Sequence, residues 1–341
     1  MNDIINTRKL DEILTTPSQG LLDDLKKIKG DFVVLGAAGK MGPSLTVLLK
    51  NGLSRTGRTN KVSAVSRFSD SKTQADLEAA GIETFAGDLL DPAFVTTLPP
   101  AENVIFMAGQ KFGTAGNESS TWAMNAYLPG LVCEKYRTSN IVAFSTGNVY
   151  PLMPITTQGA TEETRPGPIG EYAQSCLGRE RIFEFFSQKN GTPVLIYRLN
   201  YALDLRYGVL NDIAQKIWKS QPIDLSMGHV NIIWQGDANE FAIRSLLHCK
   251  APAQHLNITG LEVQEVEKLA GIIGKHLNLE PIFINKPQPT ALISDASKSS
   301  NYFGRPSISV ETMCRWTAEW IKKGGKQLNK PTHFQQRDGK F

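Results

Sequence analysis

The chain has 341 residues, 41% of them hydrophobic and 21% charged, with a net charge of +4 at pH 7. That length permits one large domain or two closely joined ones, and the slight basic excess suits an anionic small ligand while falling short of a nucleic-acid groove. The four cysteines, Cys133, Cys176, Cys249 and Cys314, form no C-x-x-C pair and are too few for a disulfide framework, so no metal site and a reduced, cytoplasmic setting are expected.

Residues 1–30 read as a polar helical lead-in with Leu21, Leu22, Leu25 and Ile28 at helical spacing. Met1–Asn6 shows no basic-then-apolar leader, and no run reaches the length of a membrane span. Lys26, Lys27 and Lys29 read as a solvated helix face. Strand-like runs follow at 32–35, 62–66, 83–86, 103–107, 141–145 and 194–198, alternating with helix-like segments Ser44–Asn51, Ser71–Ala80, Ser120–Arg137 and Tyr172–Lys189. That alternation predicts an α/β fold, a Rossmann-type parallel sheet wound on both faces. Beyond residue 200 the rhythm loosens. Helices are expected at Leu210–Ser220, Ala238–His248, Val263–His276 and Val310–Lys323, with short strands at Asn231–Gln235, His255–Ile258 and Pro281–Ile284. The expected division is a dinucleotide-binding domain over 31–200, to which 231–260 returns, and a smaller, partly interleaved α/β substrate portion formed by 201–230 and 261–341.

The first strand runs into Gly36-Ala37-Ala38-Gly39-Lys40-Met41-Gly42, followed by an amphipathic stretch. A glycine turn between strand and helix brings backbone close to a pyrophosphate and aims the helix N-terminus at its charge. Gly36, Gly39, Lys40, Met41 and Gly42 are therefore candidate cofactor contacts. Asp88-Leu89, after the third strand, places an acid where an adenine amino group could donate to it. An NAD site commonly carries Asp or Glu at the end of the second strand, whereas this chain has Ser66-Arg67. An arginine fork suits a 2′-phosphate, and Lys40 adds positive charge, so NADP is expected ahead of NAD.

The ordered set Gly36–Gly42, Asp88-Leu89, Ala108-Gly109, Ser145-Thr146-Gly147-Asn148-Val149-Tyr150 and Tyr172 resembles the short-chain dehydrogenase/reductase superfamily, and within it the extended branch of NAD-dependent epimerases and dehydratases. Arg198-Leu199-Asn200-Tyr201, Trp234–Asp237, Asn257–Gly260 and Asp295–Lys298 with Phe303-Gly304 resemble later segments of that branch in the same order. The resemblance implies that Ala108 and Gly109 lie along the cofactor. It implies Tyr172 as acid/base, Thr146 as the hydroxyl that polarises substrate, and Ser145 as its possible substitute. It also implies a sugar or sugar-nucleotide substrate and a homodimer built on Ser120–Arg137 and Tyr172–Lys189.

One departure is plain. Where the resemblance implies Tyr-x-x-x-Lys, the residue four after Tyr172 is Cys176. A tyrosine ionises near pH 10 unless a cation lowers that value, and a short neutral thiol supplies no such charge. Arg179, seven residues on, shares the helix face but lies about 10 Å along the axis, which favours a packing or ion-pairing role. Lys111, after Ala108-Gly109-Gln110, matches a loop lysine that lies near the cofactor in some sugar-nucleotide epimerases of this family.

These readings favour an NADP-dependent oxidoreductase, epimerase or dehydratase with altered acid/base machinery. A nucleotide-binding sensor or regulator without turnover stands as the alternative, and Cys176 is the residue that divides them. An RNA binder on the same scaffold lacks a basic groove in the sequence.

Overall fold

The computed structural model describes residues 6–111, 113, 116–329 and 332–339; the leader reading on Met1–Asn6 lies outside them except for Asn6. Seven strands, β1 (Phe32–Leu35), β2 (Val62–Ser66), β3 (Glu83–Ala86), β4 (Asn103–Phe106), β5 (Asn140–Thr146), β6 (Val194–Leu199) and β7 (Gln254–Ile258), form one sheet in the order β3-β2-β1-β4-β5-β6-β7. Every pairing is parallel. The apolar runs Phe32–Leu35 and Asn103–Phe106 are buried along their whole length, as parallel strands covered on both faces must be, whereas the edge run Glu83–Ala86 is not. The strand order reverses between β1 and β4, and a ligand crevice opens at such a reversal, beyond the strands' C-terminal ends.

Several helices start where short polar side chains cap them. Asn6 accepts from Lys9 N at the start of α1 (Thr7–Leu14), and Ser18 from Leu21 N at the start of α2 (Gln19–Leu25). The lead-in is thus two helices, and it is part of the core. Leu21 and Leu25 join the sheet's core beneath α3 (Gly42–Arg55), while Leu10 and Leu14 join a second core. α4 (Ser71–Ala79) and α5 (Pro92–Thr97) follow, the latter a short helix that apolar periodicity does not reveal. The expected helix over 120–137 is three pieces: α6 (Glu118–Trp122), a π-helical turn (Ala123–Tyr127) and α7 (Leu128–Lys135). α8 (Gly170–Asn190) ends at Gly191, whose φ of 73° closes the last turn in the left-handed region.

Two elements after residue 230 pack with the sheet. α10 (Gln235–Arg244) rests on α3 through bonds from Gln235 and Asn239 to the Ser44 hydroxyl, and β7 extends the sheet beside β6. The helix α9 (Val209–Trp218), with α11 (Val266–Leu277) and α13 (Val310–Lys322), builds the second core around Ile213, Leu269, Ile273, Trp316 and Trp320. Here the amphipathic spacing puts the apolar stripe inward. A further helix, α12 (Ser297–Phe303), covers β7.

Candidate functional site

The three glycines of the turn after β1 have different reasons to be glycine. Gly36 has φ 88°, and a Cβ there would sit 2.6 Å from Ala108 N, so it permits β1 and β4 to end close together. A Cβ on Gly42 would fall 2.3 Å from Ala37 O, so Gly42 permits α3 to start under the turn. Gly39 is exposed, and a Cβ there would meet only Gly36 O, at 3.2 Å. It leaves a backbone shelf open in front of α3. That helix starts at Met41 with no side-chain cap and no acid in its first turn. Its first amides and its dipole are therefore available to an anion. An open shelf before an uncapped N-terminus fits a pyrophosphate.

Lys40 leaves the turn toward the C-terminal half of the molecule. Its Nζ donates to Ala202 O at 3.0 Å and lies 3.5 Å from the centre of the Tyr207 ring. Desolvation lowers its pKa to about 7, against the attraction of Asp204 and with the repulsion of Lys111. On the other side of the turn, Asp88 is exposed and accepts from Leu90 N at 3.0 Å, which fixes its carboxylate, while Leu89 is buried beneath it. Arg67 is exposed at the end of β2, Ala108 is buried, and Gly109 is exposed at the end of β4.

The candidate acid/base groups meet at the C-terminal ends of β5 and β6. A cavity of about 180 Å³ is bordered by Lys40, Lys111, Thr146, Tyr172, Asn200 and Tyr207, with Met41 behind Lys40. Tyr172, Cys176, Glu180 and Phe183 follow one another at helical spacing along the face of α8 turned to the sheet. Burial raises Tyr172 well above the usual tyrosine value and Cys176 adds to that, while Arg179 and a hydrogen bond from Thr146 pull the other way. The Cys176 thiol is itself raised by burial and bonded to Tyr172. Thr146 Oγ1 accepts from Asn148 Nδ2 at 3.0 Å, which leaves its proton for Tyr172. The Lys111 Nζ lies 5.9 Å from the centre of the Tyr172 ring, and enclosure lowers its pKa to about 8.

Ser145 borders the same cavity, but its hydroxyl donates to Glu180 Oε1 at 2.5 Å. Strand alternation turns it to the helix side, away from Thr146. Glu180 is fully buried and paired with Arg198, which reaches on to Tyr150. Glu180, Glu184 and His255 also bring ligand atoms together, yet both Glu180 oxygens are bonded to the Arg198 guanidinium, a poor neighbour for a metal ion.

Other polar side chains around the site hold the fold together. Glu162 accepts from Asn257 N, Asn231 from Ser294 N, and Arg206 pairs with Asp204 and Asp11. Arg67, Asp88 and Leu89 lie outside the cavity, across the glycine turn from it. Sequence reasoning missed Asn148 and Thr332, which border the cavity, and Tyr201, which does so with φ 40°. It also set aside Arg179, whose guanidinium the fold carries to the end of β4. Among the described residues, no helix is long and apolar enough to cross a membrane.

A family model described as "NAD dependent epimerase/dehydratase family" matches residues 32–202. No curated protein matches. Among solved structures, UDP-glucose 4-epimerase from Thermotoga maritima with UDP-glucose is 18% identical, with 86% of this chain and 99% of that one aligned at a TM-score of 0.71. UDP-glucuronic acid 4-epimerase from Bacillus cereus in complex with NAD is 16% identical, with 87% and 100% aligned at 0.69. RMD from Pseudomonas aeruginosa complexed with NADPH is 17% identical, with 85% and 98% aligned at 0.65. At these identities the likeness is one of fold.

Proposed function

The chain belongs to the NAD dependent epimerase/dehydratase family, and from that premise we propose that it binds NADP, ahead of NAD, and uses it on a sugar-nucleotide-like substrate with altered acid/base machinery. The observation that carries this reading is one cavity bordered by both Lys40, from the phosphate turn, and the hydrogen-bonded pair Thr146–Tyr172. The nicotinamide, when bound, supplies an acceptor or donor of hydride. The chain's own residues do the rest. Gly36, Gly39 and Gly42 shape the shelf for the pyrophosphate, Lys40 faces its charge, Arg67 faces a 2′-phosphate, and Asp88 faces the adenine. Thr146 holds the substrate oxygen, and Tyr172 gives or takes that oxygen's proton. Lys111 lends charge to the same cavity. Ser145 supports the strand end through Glu180 and does not replace Thr146.

This division of labour leaves 31–200 and the returning 231–260 as the nucleotide side, and 201–230 with 261–341 as the substrate side. The exposed side chains of Trp122, Tyr127 and Phe185 on the helices beside the site support a homodimer. A cytoplasmic setting accords with cysteines that are all free.

The test is binding of NADPH and NADH by calorimetry, followed by incubation with oxidised cofactor and a panel of UDP-sugars watched by proton NMR. Tighter NADPH binding with interconversion of one sugar supports the proposal. Tight binding without turnover on any sugar favours the second reading, a nucleotide-responsive regulator, for which the raised pKa of Tyr172 speaks.

A further inference from the structure

Beyond α13, residues 332–339 return over the substrate side and reach the helix that carries Tyr172. Thr332 is buried and donates through its amide and its hydroxyl to Asp212 Oδ2 on α9, at 2.8 and 2.5 Å. Phe334 is buried in the second core. Gly339 and Gly170, with φ of 74° and 82°, lie back to back. A Cβ on Gly170 would strike the Gly339 carbonyl, and one on Gly339 would strike the Ile169 carbonyl. Glycine at both positions lets this segment cross the start of α8, two residues before Tyr172.

Between these anchors lies the half-buried Arg337. Its Nη1 donates to Thr290 O at 2.7 Å, to Ser226 O at 3.3 Å and to Met227 Sδ at 3.7 Å, and its Nη2 to Thr290 Oγ1 at 2.5 Å. Every one of these partners is neutral. Among the described residues no carboxylate pairs with the guanidinium, and its Nε proton has no acceptor. Nε belongs to the edge of an arginine that can take a carboxylate or a phosphate through two parallel hydrogen bonds. Arg337 borders a recess of about 20 Å³ with Gln336, Asn148 and Leu292. Asn148 and Leu292 also border the larger cavity of Thr146 and Tyr172, as does Thr332. The recess therefore adjoins that cavity, and it has room for one oxygen-sized group. Asn148 ties the two together, since its Nδ2 donates to Thr146 Oγ1 at 3.0 Å.

We propose that residues 332–339 form a wall of the substrate site, and that Arg337 is its specificity-determining residue, binding an oxyanion (a carboxylate or a phosphate) carried by the sugar away from its reacting carbon. One oxygen of that group fills the recess and meets the Nε proton, while the sugar's reacting oxygen stays at Thr146. A neutral sugar leaves the guanidinium without its charged partner, so the site selects against it. Partial burial makes the pairing stronger than it would be in open water. The proposal rests on the reading of Thr146 and Tyr172 as the place of the reacting oxygen.

The test is binding to the full chain without nicotinamide, by saturation-transfer NMR titration with D-glucuronate, D-glucose 6-phosphate and D-glucose. At least one charged sugar is expected to bind about tenfold tighter than glucose, the scale of a charge-assisted hydrogen bond, and the one that does identifies the oxyanion. Arg337→Gln is expected to abolish that preference while keeping glucose binding, and Arg337→Lys to keep part of it. In the parent, the Arg337 Nε–H NMR signal, assigned by its loss in Arg337→Lys, should shift with the charged sugar and stay in place with glucose. That signal carries the test if Arg337→Gln fails to fold. Equal binding of the three sugars, a preference that survives Arg337→Gln, or an Nε–H signal indifferent to the charged sugar overturns the proposal. A mere brace between the tail and Thr290 would lower the melting temperature of Arg337→Gln and leave the preference intact. Because no nicotinamide is present, failure here is distinct from failure of the UDP-sugar assay.

Discussion

The Lys40 ammonium donates to the Ala202 carbonyl at 3.0 Å, joining the glycine turn after β1 to the chain just beyond β6. A nucleotide bound on the glycine turn, as proposed, would lie beside this contact. An anion bound there exchanges the neutral carbonyl for a charged partner and stabilises the ammonium form.

Nucleotide binding should therefore take up protons. The free Lys40 has a pKa of about 7, and an adjacent phosphate raises it in the complex. Between those two values the complex holds more protons than the free protein, so affinity declines as pH rises through 7 toward the bound pKa. Calorimetry in buffers of different ionisation enthalpy should show uptake at pH 8 in the parent and less in Lys40→Met. Equal uptake in both would place the proton elsewhere.

The turn's glycines should separate folding from binding. Gly36→Val forces a side chain into a left-handed backbone pressed on Ala108, and should cost about 1–3 kcal/mol of stability. Gly39→Val meets only Gly36 O, so it should melt near the parent temperature yet lose nucleotide affinity. Thermal melts with and without NADPH distinguish the two. A Gly39→Val protein that binds like the parent would show that the phosphate lies elsewhere.

Arg67→Ala should weaken NADPH binding by about 1.5–3 kcal/mol, the scale of a charge-assisted hydrogen bond. NADH binding should be nearly unchanged, because NADH lacks the 2′-phosphate and Arg67 stands exposed at the end of β2. Parallel titrations of parent and variant with both nucleotides measure this.

Tyr172→Phe removes the hydroxyl proposed to transfer the proton and should lower turnover by about 10²–10⁴-fold, with nucleotide affinity kept. Thr146→Val should lower it as well, since it removes the hydrogen bond to Tyr172 together with the contact to the substrate oxygen. In the parent, turnover in the direction that needs the tyrosinate should rise toward alkaline pH, because burial holds the hydroxyl protonated at neutrality. A flat profile with a harmless Tyr172→Phe would shift the chemistry to Lys111 and Thr146.

Cys176→Lys should not simply restore a lost pair. Cys176 is fully buried, and the longer side chain would crowd α8 against the sheet and meet the Arg179 charge. A cost of about 1–3 kcal/mol is expected for the single variant. Adding Arg179→Gly should recover part of it, and chemical denaturation of the two singles and the double gives the coupling.

The amino-acid sequence by itself determined the alternation of strands and helices and the glycine turn after β1, because each is written in local periodicity or in residues close along the chain, whereas Thr146 and Tyr172 were singled out only through the family resemblance. Cys176 stood out as the point of departure through that same resemblance. Its reach was shorter where partners come from distant segments. Leu21 and Leu25 were legible as a helix face, but only packing put them in the sheet's core. Ser145 and Thr146 are adjacent in sequence, and only the pleat of β5, with Glu180 waiting on α8, sends their hydroxyls to different partners. Lys40 and Tyr207 are 167 positions apart by their numbers, and they touch because the chain beyond β6 folds over the glycine turn. Arg179 is the sharpest case. Its distance from Tyr172 along α8 is fixed by helix geometry, but where its charge ends up depends on Asn125, Phe144 and Gly109, three residues on three other elements that only the tertiary structure brings together.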